Sequence, residues 1–176
     1  CTGYRLKLGA ELFRKAALGG CDIIKDDELI ADASFNSAVG RVKRYMEIDK
    51  HVYEEKVEHS LYTVNITDKI PNVFENARRA VELGCNALMV NYLAVGFPVM
   101  QALAEDPSIN VPILAHMDVA GALYMSPWHG LSSHLVLGKL PRLAGADIVV
   151  IPAPYGKAPV RDYKFRNVAR NLTFPL

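Results

Sequence analysis

Cysteine is scarce in this chain. Cys1, Cys21 and Cys85 make an odd, widely spaced set, which excludes the paired framework of a small disulfide-stapled fold and suits a reducing, cytoplasmic compartment. A net charge of +1 and a pI of about 7.9 give no electrostatic reason to bind nucleic acid or an anionic membrane. No apolar stretch approaches the ~20 residues that span a bilayer, and the longest, such as Ala87-Leu88-Met89-Val90, suit buried strands. No Gly-x-Gly-x-x-Gly loop follows any apolar run. No signal peptide is visible, and the chain begins at Cys1 without a methionine. What the chain has is apolar bulk: 51% of its 176 residues, enough for one domain with a real core and too much for a disordered chain. Cys21 and Cys85 each follow a glycine and open an apolar run, so both read as small buried residues.

An internal echo organises the rest. Ala16-Ala17-Leu18-Gly19-Gly20-Cys21-Asp22-Ile23-Ile24 resembles Val81-Glu82-Leu83-Gly84-Cys85-Asn86-Ala87-Leu88-Met89. Both resemble Leu143-Ala144-Gly145-Ala146-Asp147-Ile148-Val149-Val150. Each copy reads as a helix end, a glycine stop and a strand. Between the copies lie the apolar runs Leu61–Ile66 and Val111–Ala115, so strands are expected to begin near residues 21, 61, 85, 111 and 146. Helices are expected between them. A short one surrounds Leu12 and Ala16, and a longer surface helix lies within 34–57, carrying Phe35, Val39, Val42, Tyr45 and Met46. Another runs through Phe74, Ala77 and Val81 with Asp68 as its cap, and two more cover 97–105 and about 130–144. Met89 and Met100 read as core filler.

Short apolar strands alternating with helices imply an α/β protein whose parallel sheet is covered on both faces. An open doubly wound sheet and a closed (β/α)8 barrel both satisfy that pattern. The absent glycine-rich loop and an echo that spans two strand-helix units favour the barrel. A full barrel needs about 250 residues, so residues 1–176 are expected to form part of a TIM barrel, with about five to six of its eight strand-helix units.

In such a barrel, chemistry gathers at the C-terminal ends of the strands. The first strand ends in four consecutive charges, Lys25-Asp26-Asp27-Glu28, and Lys25, Asp27 and Glu28 together suit a hard divalent cation held by oxygen. The later strands end in Asn65 and Asp68, in Asn91 and Tyr92, in His116 and Asp118, and in Tyr155 and Lys157. Two readings stand for each. A charged run also suits a solvated loop, His116 also suits a satisfied rim residue, Asn65 and Asn91 also suit strand-end caps, and Lys157 lies on a turn that either stays solvated or closes on substrate. His51, His59, His129 and His134 fall in helical or loop contexts and read as surface or packing residues.

The run Gly19-Gly20-Cys21-Asp22-Ile23-Ile24-Lys25-Asp26-Asp27-Glu28 resembles the metal-site strand of the RuBisCO large-subunit superfamily. The resemblance extends along the chain. His116 matches the family's strand-five histidine, Ala146–Val150 is similar to its sixth strand, and Lys157 matches its mobile-loop lysine. It implies that Lys25 reacts with CO2 to give a carbamate which, with Asp27 and Glu28, binds Mg2+. It implies catalytic roles for His116 and Lys157, with Asn65 and Asn91 as substrate-binding candidates. There are also departures. Met117 stands where carboxylases carry a phosphate-gripping arginine, and Ala120 and Val150 stand where they carry histidines. The chain therefore resembles the RuBisCO-like proteins more than the carboxylases.

Met100–Pro107, Leu137–Leu140 and Pro152–Gly156 resemble the RuBisCO-like enolases of methionine salvage, which act on 2,3-diketo-5-methylthiopentyl-1-phosphate. Lys157 is a mild departure, since the enolases do not require lysine there. The implied function is Mg2+-dependent enolisation of that diketone phosphate. A RuBisCO-like decarboxylase or isomerase of another phosphorylated keto-sugar acid, such as 3-oxo-isoapionate 4-phosphate, is the alternative. A true carboxylase is disfavoured by Met117 and Val150, and a non-catalytic homologue by the intact Lys25, Asp27, Glu28 and His116. The resemblance further implies a homodimer or higher homo-oligomer, a small phosphorylated substrate, and no nucleic-acid or membrane partner. It leaves the family's N-terminal domain, its strand-one lysine base and its phosphate-binding loops outside residues 1–176.

Overall fold

The computed structural model describes residues 3–155 and 160–173. Cys1 and Lys157 lie outside the described residues. The elements run α1 (Leu6–Leu18), β1 (Ile23–Lys25), α2 (Ala38–Lys56), β2 (Leu61–Asn65), α3 (Asn72–Glu82), β3 (Ala87–Asn91), α4 (Tyr92–Val95) and α5 (Phe97–Ala104). They continue with β4 (Ile113–His116), α6 (Ala120–Tyr124), a π-helical stretch (Leu135–Lys139) leading into α7 (Leu140–Leu143), β5 (Ile148–Val149) and α8 (Asp162–Thr173).

The five strands form one sheet in the order β1-β2-β3-β4-β5, every neighbouring pair parallel. A doubly wound sheet reverses its direction of growth partway, whereas a barrel adds each strand to the same edge. The observed order is the barrel's, and the fold is part of a (β/α)8 wall. All five expected strands are present.

The sequence echo has a structural cause. Gly20, Gly84 and Gly145 adopt φ of 88°, 86° and 93°, the left-handed conformation that glycine enters without a Cβ penalty. The amide that follows each one bonds back into the closing helix: Cys21 N–H to Ala16 O, Cys85 N–H to Ala80 O and Ala146 N–H to Pro141 O. These are three copies of one helix-stop motif. The polar residue two places after the glycine then ties adjoining strands together. Asn86 Oδ1 accepts from Tyr62 N–H at 2.8 Å, and Asp147 Oδ2 accepts from Ile113 N–H at 2.9 Å.

Strand side chains alternate between faces. Tyr62, Val64, Leu88, Val90, Ile113 and Ala115 join the main core with Phe13, Val42, Tyr45, Val52, Ala77 and Leu103 of the helices. The intervening positions, which include Asn65, Asn91 and His116 at the strand ends, therefore face the other side, towards the barrel interior. Lys25 is out of phase with the core-packed Ile24 and joins them.

Several expectations need correction. Within 34–57 the helix begins only at Ala38, and Phe35 and Val39 are exposed. Its inward stripe is Val42, Tyr45, Met46, Ile48 and Val52, and it also buries Arg41 and Asp49, so α2 is not simply a surface helix. Cys21 is exposed because it sits at the turn before β1, whereas Cys85 is buried, and burial pushes its thiol up to about 11. Asp68 caps no helical amide; it accepts from the side-chain amides of Asn72 and Asn76. The expected helix over 130–144 resolves into the π stretch and α7, with Pro141 in the first turn of α7. Helix α8 was not foreseen, since only Val168 of it is buried, in a small second core with Ala120, Val136 and Leu137.

The buried Arg41 sets the first testable expectation. Replacing it with methionine leaves the carboxylate of Asp26 without its counter-charge, and chemical denaturation should show a loss of about 3–5 kcal/mol. Arg44→Met, which breaks an exposed pair on the same helix, should change stability by no more than about 0.5 kcal/mol.

Candidate metal and active site

Beyond Lys25 the chain leaves β1 through the charged run, and its side chains part company. Asp26, in phase with Ile24, turns towards the helices and is 5% exposed. Its Oδ2 accepts from Arg41 Nε at 2.9 Å and from Asn65 N–H at 2.9 Å, while its Oδ1 accepts from Tyr62 Oη at 2.8 Å. Burial pushes the Asp26 carboxyl up, and the Arg41 charge with these hydrogen bonds opposes that push. With Asp26 neutralised on the helix side, Lys25 and Glu28 are left to pair with each other at the strand end.

Lys25 Nζ donates to Glu28 Oε2 at 3.0 Å and to the Asp26 carbonyl at 2.9 Å. Asp27 Oδ1 accepts from Leu29 N–H at 3.0 Å. The Glu28 carbonyl accepts two amides, from Asn65 Nδ2 and Asn91 Nδ2, each at 3.0 Å. Burial acts to raise the Glu28 carboxyl, but its own backbone amide, the Lys25 ammonium and His116 outweigh burial and hold it below the usual carboxylate range.

His116 ends β4 in register with Asn91 and is 5% exposed. Its Nε2 lies 3.6 Å from Glu28 Oε2, and its Nδ1 lies 3.2 Å from Asp118 Oδ1. The second contact falls within ion-pair distance but lacks hydrogen-bond geometry. His116 Nδ1 and Asn91 Oδ1 are both buried without a hydrogen-bond partner among the described residues. Burial, then the charge of Lys25, lowers the imidazole pKa against the pull of Asp118 and Glu28.

Glu28, His116 and Asp118 each place a ligand atom within 4.8 Å of the others, a spacing that can hold a metal ion. A cleft of about 550 Å3 opens beside them, lined by Glu28, His116, Met117, Ala120, Tyr124 and Ile151. Carboxylate oxygens set beside two orphaned polar atoms fit a hard divalent cation and an oxygen-rich ligand.

A family model for the catalytic domain of the ribulose bisphosphate carboxylase large chain matches residues 3–164. The chain belongs to that family. It is 61% identical over 168 residues to a ribulose bisphosphate carboxylase-like protein of Archaeoglobus fulgidus, covering 96% of this chain and 38% of that one. It is 47% identical over 146 residues to a 2,3-diketo-5-methylthiopentyl-1-phosphate enolase of Bacillus pumilus, covering 83% of this chain and 36% of that one. The crystal structure of a RuBisCO-like protein (MtnW) from Alicyclobacillus acidocaldarius superposes with a TM-score of 0.90 at 39% identity, covering 98% of this chain and 43% of that one. The chain thus spans about two fifths of the length of these RuBisCO-like relatives.

Of the residues expected at the site, Lys25, Glu28, Asn65, Asn91 and His116 lie together at the strand ends, with Asp27 in the same loop. Both asparagines direct their amide nitrogens at the Glu28 carbonyl, a contact that orients the loop. Tyr92 is buried, and its hydroxyl donates to the Val136 carbonyl; Tyr155 is almost fully exposed. Sequence reasoning missed Arg41 and Tyr62. The available signal was that Arg41 lies one turn before Tyr45 on the apolar stripe of α2, a position where a charge has to find a buried partner.

Removing the Asn91 amide leaves the Glu28 carbonyl with one donor fewer. Asn91→Ala should lower stability by about 1–3 kcal/mol in denaturant titration, whereas Asn110→Ala, at the opposite ends of the strands, should be close to neutral.

Proposed function

We propose that this chain carries the Mg2+ site of a RuBisCO-like enolase that converts 2,3-diketo-5-methylthiopentyl-1-phosphate to its enol, in a homo-oligomeric cytoplasmic enzyme of methionine salvage. The observation that carries the reading is the convergence of Lys25, Glu28 and His116 on one side of the charged loop, with Asp26 removed to the other. Lys25, once its amine has formed a bond to CO2 and released its protons, would present a carbamate. That carbamate with Asp27 and Glu28 would hold Mg2+ through oxygen alone. The ion, when bound, lowers the cost of negative charge on a ketone oxygen as the neighbouring carbon loses its proton. His116, facing Glu28 across 3.6 Å, is placed to move a proton at the reacting atoms, and Asn65 and Asn91 hold the loop while bordering the substrate. Lys157, outside the described residues, is the second catalytic candidate in this reading.

The cleft suits this substrate. Met117, Ala120, Tyr124 and Ile151 give part of its wall an apolar character, beside the polar Glu28, His116 and Asp118, which suits a methylthioalkyl tail, and the described residues that line it include no lysine or arginine. Val119 and Tyr155, which line it and are exposed, are the kind of apolar surface that a subunit contact covers.

The test uses the protein expressed from its full-length gene, supplied with Mg2+ and bicarbonate. Ultraviolet absorbance should report conversion of the diketone phosphate to its enol, and Lys25→Ala should remove the Mg2+-dependent rate. A fully active Lys25→Ala protein would contradict the carbamate assignment. No enolisation, together with CO2 release from 3-oxo-isoapionate 4-phosphate, would favour a decarboxylase.

A further inference from the structure

A buried ion pair rarely stabilises a fold more than well-packed apolar residues of the same size would. What it does provide is direction, because each hydrogen bond fixes an angle as well as a distance. Asp26 sits inside the charged run, and its carboxylate bonds to Arg41, Tyr62 and the Asn65 backbone amide, not to the other charges of the run. Tyr62, which donates to Asp26 Oδ1, is itself held edge-on to Tyr45 and Phe13, with ring centroids 4.8 and 5.6 Å away. Gly9 lets α1 approach that cluster; a Cβ there would collide with the Tyr45 hydroxyl.

Arg41 ties the other end of the loop. Besides Asp26, its guanidinium donates from Nη2 to the Ala31 carbonyl at 2.6 Å and from Nη1 to the Asn36 carbonyl. One fully buried side chain therefore grips the loop both where it leaves β1 and where it returns to α2. The same network reaches the ligands. Asn65 donates its backbone N–H to Asp26, and its side chain donates to the Glu28 carbonyl. Neighbouring side chains of extended chain point opposite ways, so fixing Asp26 towards the helices fixes Lys25, the last residue of β1, towards the barrel interior, and the grip on the loop's return constrains Asp27 and Glu28.

We propose that Arg41 and Tyr62 are positioning residues for the divalent-ion site: by fixing Asp26 and the loop's return they set the direction of Lys25, Asp27 and Glu28, and with it the affinity for the ion. This rests on the function proposed above. Neither residue touches the ion or the substrate, and the effect should appear in metal affinity before it appears in folding.

The test is titration of the full-length protein with Mn2+ in bicarbonate buffer, read by the electron paramagnetic resonance of the free ion, alongside a thermal melt. Tyr62→Phe removes one hydrogen bond and no charge; it should melt within a few degrees of wild type yet bind Mn2+ about threefold or more weakly. Arg41→Lys keeps the charge but loses the fork that reaches three acceptors; it should bind about tenfold or more weakly. Arg44→Lys should match wild type. Folded Tyr62→Phe with wild-type Mn2+ affinity overturns the proposal, and it decides the matter if Arg41→Lys does not fold. Wild-type protein that binds no Mn2+ at millimolar concentration overturns the metal reading, and this inference with it.

Discussion

A carboxylate and a guanidinium, both almost wholly removed from water, lie 2.9 Å apart beneath the end of the first strand. Their pairing decides which way three further charges face. Asp26 cannot turn to the interior without abandoning Arg41, Tyr62 and the Asn65 amide at once. With Asp26 fixed, alternation along β1 delivers Lys25 to the interior, and the two asparagine amides hold the loop that carries Asp27 and Glu28. The helices α1 and α2, remote from the chemistry, contribute by fixing Tyr62 and Arg41. Fold and site are thus joined through one buried charge.

Much of this architecture was legible in the sequence. The three glycine-centred repeats mark real helix stops, and the apolar runs between and after them are the five strands. These features are local, set by backbone conformation and by runs of adjacent side chains. The charged run and His116 are legible as rim residues for the same reason, since each stands at the C-terminal end of a strand. What escaped was non-local. Arg41 sits among the charges of α2; its place on the apolar stripe signals burial, but only the tertiary contact shows that its partner is Asp26. Helix α8 buries a single residue, so it leaves almost no periodic apolar signature. The exposure of Cys21 and the displaced start of α2 follow from turns whose course depends on packing.

Membership of the RuBisCO large-chain family is consistent with this division. Polar groups stand at the strand ends, while part of the cleft wall beside them is apolar: Met117, Ala120, Tyr124 and Ile151. Charge is gathered at one side of the cleft, on Glu28, His116 and Asp118, and apolar surface at the other. The orphaned Nδ1 of His116 and Oδ1 of Asn91 are buried polar atoms at this strand end, the second able to accept a hydrogen bond or to face a cation.

The central claim is that Lys25, Asp27 and Glu28 converge as a metal-binding set once Lys25 carries CO2. Carbon-13 NMR of the full-length protein with labelled bicarbonate and Mg2+ addresses it directly. The account predicts a carbamate resonance that strengthens with Mg2+ and is absent from Lys25→Ala. A spectrum with no protein-bound carbon, or one that Lys25→Ala leaves unchanged, would contradict it.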